Sequence, residues 1–376
     1  MDEAATMDAA GTALRATGDN PFFTDPLLAA ALHHLGNGQV RVVDLPHVLA
    51  PLRPTRLGRL VPAVGVWVHL HGPLGAPRLD AGNPQAAVTA LIAAMDGDKP
   101  GKRILEFPYL PLDGTVASAL RKEAERQGRP VTILGAHRRA MLSRQPARGA
   151  PIREGITPKK RKELARQLRR LGERGALGIE HVTAPDALPA ALEDFLALEA
   201  SGWKGRRGTA LARRPDEMAF ARTAIAGAAA QGDVAIHAIR LDGKAAAMLI
   251  SFKSGNTAVT WKIAYDEALG RHSPGVHVML AASEWLLADP AVAWIDSLAI
   301  ADHPMVDHLW PDRLAIGTLV IGPKGGSAGY RLGIGLARLE LRLRPLARRA
   351  LHALRQKRES LRARLRRATA AGSPTG

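Results

Sequence analysis

Three consecutive alternating segments in the second half of the chain restrict the fold most strongly. They read VAIHAIRLDG, KAAAMLISFKSG and NTAVTWKIAYD, and the turns Asp242-Gly243 and Ser254-Gly255-Asn256 separate them. Alternation of apolar and polar residues is typical of strands that bury one face, and Asp-Gly is a favoured hairpin turn. The sequence therefore predicts an antiparallel meander of three strands.

The order of elements around this meander occurs twice in the chain. In the second half, WKIAYDEALGRHSPG is followed by VMLAASEWLL and AWIDS; in the first half, WVHLHGPLGAPRLD is followed by AAVTALIAAM and RILEF. Each set is typical of a strand, a Gly/Pro loop, a helix and a second strand. The sequence predicts two copies of one α/β unit, which fits 376 residues because a domain averages about 150.

Composition suggests where the chain divides. The stretch 146–156 is polar and contains Pro and Gly, as a linker does, and Thr157-Pro158 opens a strongly basic helix. The predicted divisions are a flexible N-terminus at 1–20, a first domain at 21–145, a linker at 146–156, a second domain at 157–329 and a basic helical tail at 330–376.

Positive charge is concentrated in two segments. The net charge is +17; the thirteen Lys and Arg after Tyr330 oppose two Glu and supply +11, and the block Arg153–Arg174 supplies +6. Within the tail, residues 345–368 have leucines along one face and arginines on the remaining faces, which is typical of an amphipathic basic helix. Such a helix could lie on an anionic membrane surface, bind tRNA phosphates, or pack on its own domain.

Several classes of chemistry are excluded or disfavoured by composition. The chain has no cysteine, which excludes disulfides, thiolate metal sites and a Cys nucleophile. A metal site at His303, Asp307 and His308 is disfavoured because no helix presents two His four residues apart. No secretory signal and no apolar run of about 20 residues is present, so we expect a cytoplasmic location, peripheral at the inner membrane face if the tail binds lipid.

The junction GRHSPGVHVM carries the strongest signal for a ligand. A helix beginning near Pro274 would present unpaired backbone N–H groups and a positive dipole end to an anion. Gly275 allows close approach, Ser273 can cap the helix or donate, and Arg271 adds charge. An ordinary capped helix is the alternative. The predicted anion-binding residues are Arg271, His272, Ser273, Pro274, Gly275 and Val276.

The strand before this junction predicts a cleft. Alternation places Val259, Trp261, Ile263 and Tyr265 on one face and Thr260, Lys262, Ala264 and Asp266 on the other. Lys and Asp are rare on a buried sheet face, so that face opens either on a ligand cleft or on solvent. The predicted substrate-binding residues are Trp203, Lys262, Tyr265 and Asp266.

These segments resemble the GNAT acyltransferase superfamily. The similarity lies in FLALEASGWKGRRGTAL, WKIAYDEALGRHSPGV and WIDSLAIADHPMVDHLW, and it is greatest for the double-domain branch of CelD-type acetyltransferases and FemAB-type aminoacyl transferases. It implies two tandem α/β domains with mixed, mainly antiparallel sheets. It also implies an acyl-carrier cleft along Val259–Asp266 and a coenzyme A pyrophosphate site at the next turn. That turn departs from the family pattern, because its glycine stands one position late.

The implied reaction is direct acyl transfer from acetyl-CoA, or another acyl-CoA, to an amine or hydroxyl of a small-molecule or envelope-precursor acceptor. No metal is required. Asp296, Asp302 and His303 are the candidate general bases, and a helix-capping role is the alternative for His303. An aminoacyl-tRNA-dependent transferase is one alternative function. A non-catalytic scaffold at the membrane in polysaccharide biosynthesis is the other.

Overall fold

The computed structural model describes residues 16–17, 20–144, 152 and 156–344, so 345–376 of the predicted basic tail lie outside the described residues. The described chain is a mixed α/β structure. Its strands are β1 (Ala16–Thr17), β2 (Arg41–Leu45), β3 (Val48–Leu57), β4 (Val61–Val66), β5 (Arg78–Asp80), β6 (Leu105–Pro111), β7 (Val131–Ser143), β8 (Leu177–Val182), β9 (Val234–Leu241), β10 (Lys244–Ser254), β11 (Thr257–Tyr265), β12 (Trp294–Asp296) and β13 (Asp312–Ile321).

Helices cover both faces of the sheet. They are α1 (Asp25–Leu35), α2 (Pro84–Asp96), α3 (Thr115–Arg126), α4 (Pro158–Gly172), α5 (Leu188–Ser201), α6 (Trp203–Arg206), α7 (Pro215–Gln231), α8 (Pro274–Ala288) and α9 at 328–344. One apolar core lies between the sheet and α1, α2, α3, α5 and α7, and a second lies under α4 and α8. The predicted α/β class is confirmed.

All strands belong to one sheet, in the order β1-β5-β3-β4-β6-β13-β7-β12-β11-β10-β9-β8, with β2 paired to β3. Within the described residues, the pairs β4–β6 and β11–β12 are parallel and the others are antiparallel. A helix joins each parallel pair, α2 in the first half and α8 in the second. The predicted repeat is therefore confirmed, and we call β4-α2-β6 the first repeat and β11-α8-β12 the second.

The two halves exchange strands at the centre of the sheet. Strand β13, the last strand along the described chain, lies between β6 and β7, and β7 pairs with β12 of the second repeat. The side chains of Arg139 on β7 and Asp296 on β12 form a buried ion pair across this junction. The predicted division into two domains stays a prediction, and both halves contribute to one continuous sheet.

The predicted meander is confirmed as β9, β10 and β11. Its first turn places Asp242 and Gly243 at φ 50° and 75°, a conformation that suits a two-residue hairpin. The predicted alternation in β11 is wrong beyond Trp261. Ile250 pairs with Lys262 while Ser251 pairs with Thr260, so Trp261 is the extra residue of a β-bulge. Alternation therefore reverses there, and Lys262 lies on the same face as Trp261.

Candidate functional site

The parallel strands of the second repeat separate and leave a cleft. Strands β11 and β12 pair at three positions, ending with Val259 opposite Asp296. Thr260 Oγ1 then donates to the carbonyl of Ser297 at 3.3 Å, and β12 ends while β11 continues to Tyr265. Beyond Thr260, this edge of β11 has no partner strand among the described residues. An extended ligand can therefore lie beside β11.

Helix α8 begins beside the end of β11. Ser273 has φ 52° and ψ 47°, and its side chain makes no capping hydrogen bond. Its carbonyl accepts from the N–H groups of Val276 and His277, at 2.9 and 3.2 Å. The Gly275 N–H has no such partner in the described chain, and Pro274 has no N–H. The start of α8 thus offers a backbone donor and a positive dipole end to an anion.

Gly275 also leaves little space for a side chain. A Cβ at this position would lie 3.3 Å from Cδ1 of Tyr265 and 3.9 Å from Cδ1 of Ile263. The half-exposed Tyr265 ring therefore lies directly over the helix start. The glycine allows β11 and α8 to approach each other at the cleft.

Basic side chains surround this turn. Burial lowers the pKa of His272, and the charges of Arg271, Arg174 and Arg170 lower it further. Arg271 Nε also lies 3.0 Å from His272 Nε2. Arg170 belongs to α4 and Arg174 follows it, so the basic helix predicted from the sequence adds its charge to the α8 start. This is the pattern expected of a phosphate site.

A buried polar cluster lies on the other side of β11, under the loop that follows β4. We call it the histidine–lysine cluster; its members are His69, His71, Glu199, Lys204, Glu217 and Lys262. His71 Nε2 lies 2.9 Å from Glu217 Oε2, and Trp261 Nε1 donates to the His71 carbonyl at 2.7 Å. The loop of the first half is thereby fixed against the second half.

Lys204 and Lys262 differ in their partners within this cluster. Lys204 Nζ donates to Glu199 Oε1 at 2.8 Å and to the carbonyl of Ile263 at 3.0 Å. Lys262 Nζ lies 5.6 Å from the centre of the Trp261 ring and has neither a hydrogen bond nor an ion pair among the described residues. Lys262 is therefore the amine of the cluster that is available to a ligand.

Burial perturbs the titration of the cluster. It lowers the pKa of Lys262 to about 8, and the charge of Lys204 adds to that effect. It also lowers the pKa of His69 to about 3 and that of His71 to about 4. At neutral pH both imidazoles are uncharged, while a substantial fraction of Lys262 loses its proton near pH 8. A lysine of this kind can accept a proton at physiological pH.

The three predicted general bases lie in different environments. Asp296 is buried, pairs with Arg139, and accepts the Leu298 N–H at 2.9 Å. Asp302 is an exposed turn residue with φ 55°. His303 Nδ1 accepts from the backbone N–H groups of Met305 and Val306, at 3.2 and 3.4 Å, which matches the capping alternative. Their role as bases stays a prediction.

The predicted substrate-binding residues do not all lie together. Trp203 is exposed at the start of α6, and its backbone N–H donates to Glu267 Oε1 at 2.5 Å. Asp266 accepts the Ala268 N–H at 2.9 Å and so caps the short helix before α8. Tyr265 and Lys262 flank the cleft from opposite faces of β11. The other members of the histidine–lysine cluster were not predicted from the sequence. The one local signal for them is the pair of histidines in HLHG, in the loop after β4.

A segment of the second half matches a known family. The family model described as an acetyltransferase (GNAT) domain matches residues 158–303, from α4 to the loop after β12. No curated protein sequence matches this chain. Among the described residues, no helix is long and apolar enough to cross a membrane, and no three His, Cys, Asp or Glu side chains are grouped as metal ligands.

Solved structures share the overall fold. FemX aligns with a TM-score of 0.51 at 9% identity, over 81% of this chain and 92% of FemX. The C-terminal domain of a protein assigned as a lysylphosphatidylglycerol synthetase, from Agrobacterium fabrum, aligns with a TM-score of 0.50 at 13% identity, over 83% of this chain and 92% of that domain. The resemblance to the GNAT superfamily is confirmed. The segment 158–303 is GNAT-like and of the acyltransferase kind, and the described chain shares its overall fold with FemX.

Proposed function

We propose that the chain is an acyl-CoA-dependent acyltransferase that transfers an acyl group directly to an amine or hydroxyl of a small-molecule acceptor. The observation that carries the proposal is the divergence of β11 from β12 beside the uncapped start of α8. The open edge of β11 suits an extended acyl carrier, while Gly275 and Arg271 suit its diphosphate. The donor and its reacting carbonyl would then lie along β11, near Trp261 and Lys262.

Lys262 is the proposed general base, in place of Asp296, Asp302 and His303. Its pKa of about 8 and its lack of a fixed partner fit a group that accepts a proton from the attacking amine or hydroxyl. The acceptor oxygen or nitrogen then bonds to the acyl carbon as the carbon–sulfur bond breaks. The resulting Lys262 ammonium can return its proton to the departing thiolate. Asp296 is less suited because Arg139 already binds its carboxylate.

Calorimetric titration with acetyl-CoA tests the donor site. We expect micromolar binding to the wild-type protein and at least tenfold weaker binding to Arg271→Gln, because the lost guanidinium is a charge partner of the diphosphate. Arg338→Gln, an exposed arginine on α9 away from the cleft, is the matched control and keeps wild-type affinity. Absence of binding to the wild-type protein would overturn the coenzyme A assignment.

The pH dependence of acetyl-CoA hydrolysis tests Lys262, with water as a substitute acceptor. A base with a pKa of about 8 predicts a rate that rises about tenfold per pH unit well below pH 8 and levels above it. Lys262→Met should abolish this rise while leaving acetyl-CoA affinity unchanged. A rate profile that persists in Lys262→Met would remove Lys262 from the role.

An aminoacyl-tRNA-dependent transferase is the second candidate, and α4 favours it. This helix carries Lys159, Lys160, Arg161, Lys162, Arg166, Arg169 and Arg170, opposed by Glu163 alone within the helix. Binding of charged tRNA would fall steeply with salt, by several powers of ten between 50 and 200 mM for six or more phosphate contacts. Tight, salt-sensitive tRNA binding without acetyl-CoA binding would favour this candidate.

A further inference from the structure

A second cleft opens in the first repeat. A cavity of about 1220 Å³ lies over β3, β4, β6, β13 and β7 and is bounded by α9 and by the loop at 298–301. It includes the point where β4 and β6 separate, after pairing only at Val64–Leu105 and Gly65–Glu106. The equivalent last pair in the second repeat is Val259–Asp296. Glu106 and Asp296 therefore occupy the same position in the two repeats. The part of this first-repeat cavity beside β4 and β6 is therefore the structural counterpart of the proposed donor cleft.

This cavity cannot hold a diphosphate in the way proposed for the second repeat. The side chain of Asn83 accepts the Ala86 N–H at 3.1 Å and so caps the start of α2, whereas α8 has no side-chain cap. A much longer connection, 67–83 against 266–273, also separates the strand from the helix in the first repeat. The two clefts are built for different ligands.

The lining of the cavity is positively charged. It contains five arginines and two glutamates, namely Arg53, Arg56, Arg59, Arg139, Arg344, Glu106 and Glu340. Glu340 pairs with two of these arginines, at 2.8 and 3.0 Å, and Asp296 pairs with a third. Arg53 and Arg56 have no ion pair among the described residues. Burial raises the pKa of Glu106, and the charge of Arg53 acts on it in the opposite direction. The cavity therefore favours an anion.

Two polar atoms of the lining lack partners. Nε of Arg139, a residue only 2% exposed, and Nδ1 of His69 are buried and make no hydrogen bond in the described chain. Buried polar atoms are normally satisfied, and an exception calls for a ligand or a water. His69 also adjoins His71, with ring centres 6.4 Å apart, and the charge of Lys262 acts on it. The cavity therefore extends to the histidine–lysine cluster.

Large apolar side chains on the same lining are exposed. Leu70, Ile300 and Tyr109 are 73%, 72% and 44% exposed. Exposed apolar side chains grouped on one cavity mark a binding surface better than isolated ones do. Their presence beside unpaired arginines indicates a ligand with both an anionic and an apolar part.

We propose that the first-repeat cavity binds the acyl acceptor, and that this acceptor is an anionic amphiphile. Its phosphate or carboxylate would contact Arg53 and Arg56, its apolar part would contact Leu70, Tyr109 and Ile300, and its nucleophile would lie near His69. The assignment of this ligand as the acceptor rests on the proposed acyltransferase function, and it names the substrate class for that site.

Calorimetric titration with model amphiphiles tests the proposal. The probes are n-octyl phosphate and octanoate, inorganic phosphate, and n-octyl glucoside, each below its critical micelle concentration. We expect n-octyl phosphate or octanoate to bind at least tenfold more tightly than both inorganic phosphate and n-octyl glucoside. Equal affinity for n-octyl glucoside, or no binding of either charged amphiphile, would overturn the proposal.

Variants locate the binding. Arg53→Gln should weaken the binding of the charged amphiphile at least tenfold, and Arg338→Gln on α9, outside the cavity lining, is the matched control. Leu70→Ser, a change at an exposed side chain, should weaken n-octyl phosphate binding and leave inorganic phosphate unaffected. Unchanged affinity in Arg53→Gln would place the ligand elsewhere and overturn the proposal.

The same samples, titrated with acetyl-CoA, separate the two proposals. Acetyl-CoA binding without amphiphile binding would overturn the cavity assignment and leave the donor site standing. Amphiphile binding that Arg53→Gln weakens, without acetyl-CoA binding, would support the cavity as an anion site and overturn the coenzyme A assignment.

Discussion

The ion pair between Arg139 and Asp296 offers a quantitative test of how the two halves are joined. The two side chains are 2% and 0% exposed, and they connect β7 of the first half to β12 of the second. Asp296→Asn leaves the Arg139 guanidinium buried without its counter-charge. Removing one partner of a buried pair costs about 3–5 kcal/mol. We expect the free energy of unfolding to fall by about that amount.

Urea unfolding of three variants measures this effect. The double variant Arg139→Met with Asp296→Leu removes both charges, and such apolar replacement is often neutral or stabilising, so it should lose less stability than Asp296→Asn alone. Asp98→Asn removes an exposed carboxylate that pairs with Arg103, and it should change the free energy of unfolding far less than Asp296→Asn does, because solvent screens exposed ion pairs. An equally small cost for Asp296→Asn would refute the reasoning. It would also return Asp296 to consideration as the general base.

Three further predictions concern the cleft and the buried titratable groups. Gly275→Ala places a Cβ 3.3 Å from the Tyr265 ring and should lower the free energy of unfolding by about 1 kcal/mol, and Gly275→Val should lower it further. Thermal unfolding measures this effect, and melting temperatures equal to that of the wild-type protein would contradict the close contact. The free energy of unfolding should fall as the pH drops from about 6.5 towards 3. Burial lowers the pKa of His69 and His237 to about 3 in the folded state, so the unfolded state binds protons first. The urea midpoint should therefore be lower at pH 5 than at pH 7. Lys262→Met should stabilise the protein at pH 7 by up to about 3 kcal/mol, because the folded state lowers the pKa of Lys262 to about 8 and so disfavours its charge; a destabilised variant would contradict that account.

Local patterns predicted much of the second half correctly. Alternation and the Asp242-Gly243 turn identified the meander, because a hairpin is specified by residues close in sequence. Helix α4 opens at Thr157-Pro158 as expected, and the Thr157 side-chain oxygen accepts a backbone N–H group. The helix expected over VHVMLAASEWL is also correct; it begins two residues earlier, at Pro274, and the Ser273 side chain does not cap it.

The features that the sequence did not reveal depend on contacts between distant segments. The bulge at Trp261 arises in the register between β10 and β11, which no local pattern specifies. The position of β13 between β6 and β7 likewise depends on pairing between strands that are far apart in sequence. The histidine–lysine cluster brings His71, Glu217 and Lys262 together from three separate segments. Each of these residues alone is compatible with an ordinary surface or core role.

The central claim is that an acyl carrier binds along β11 with its diphosphate at the start of α8. A crystal structure of the protein with acetyl-CoA tests it most directly. We predict the diphosphate within hydrogen-bond distance of the Gly275 N–H and near Arg271, with the acyl carbonyl between β11 and β12 on the Lys262 side. Coenzyme A bound elsewhere, for example along the basic face of α4, with this cleft empty, would contradict the account.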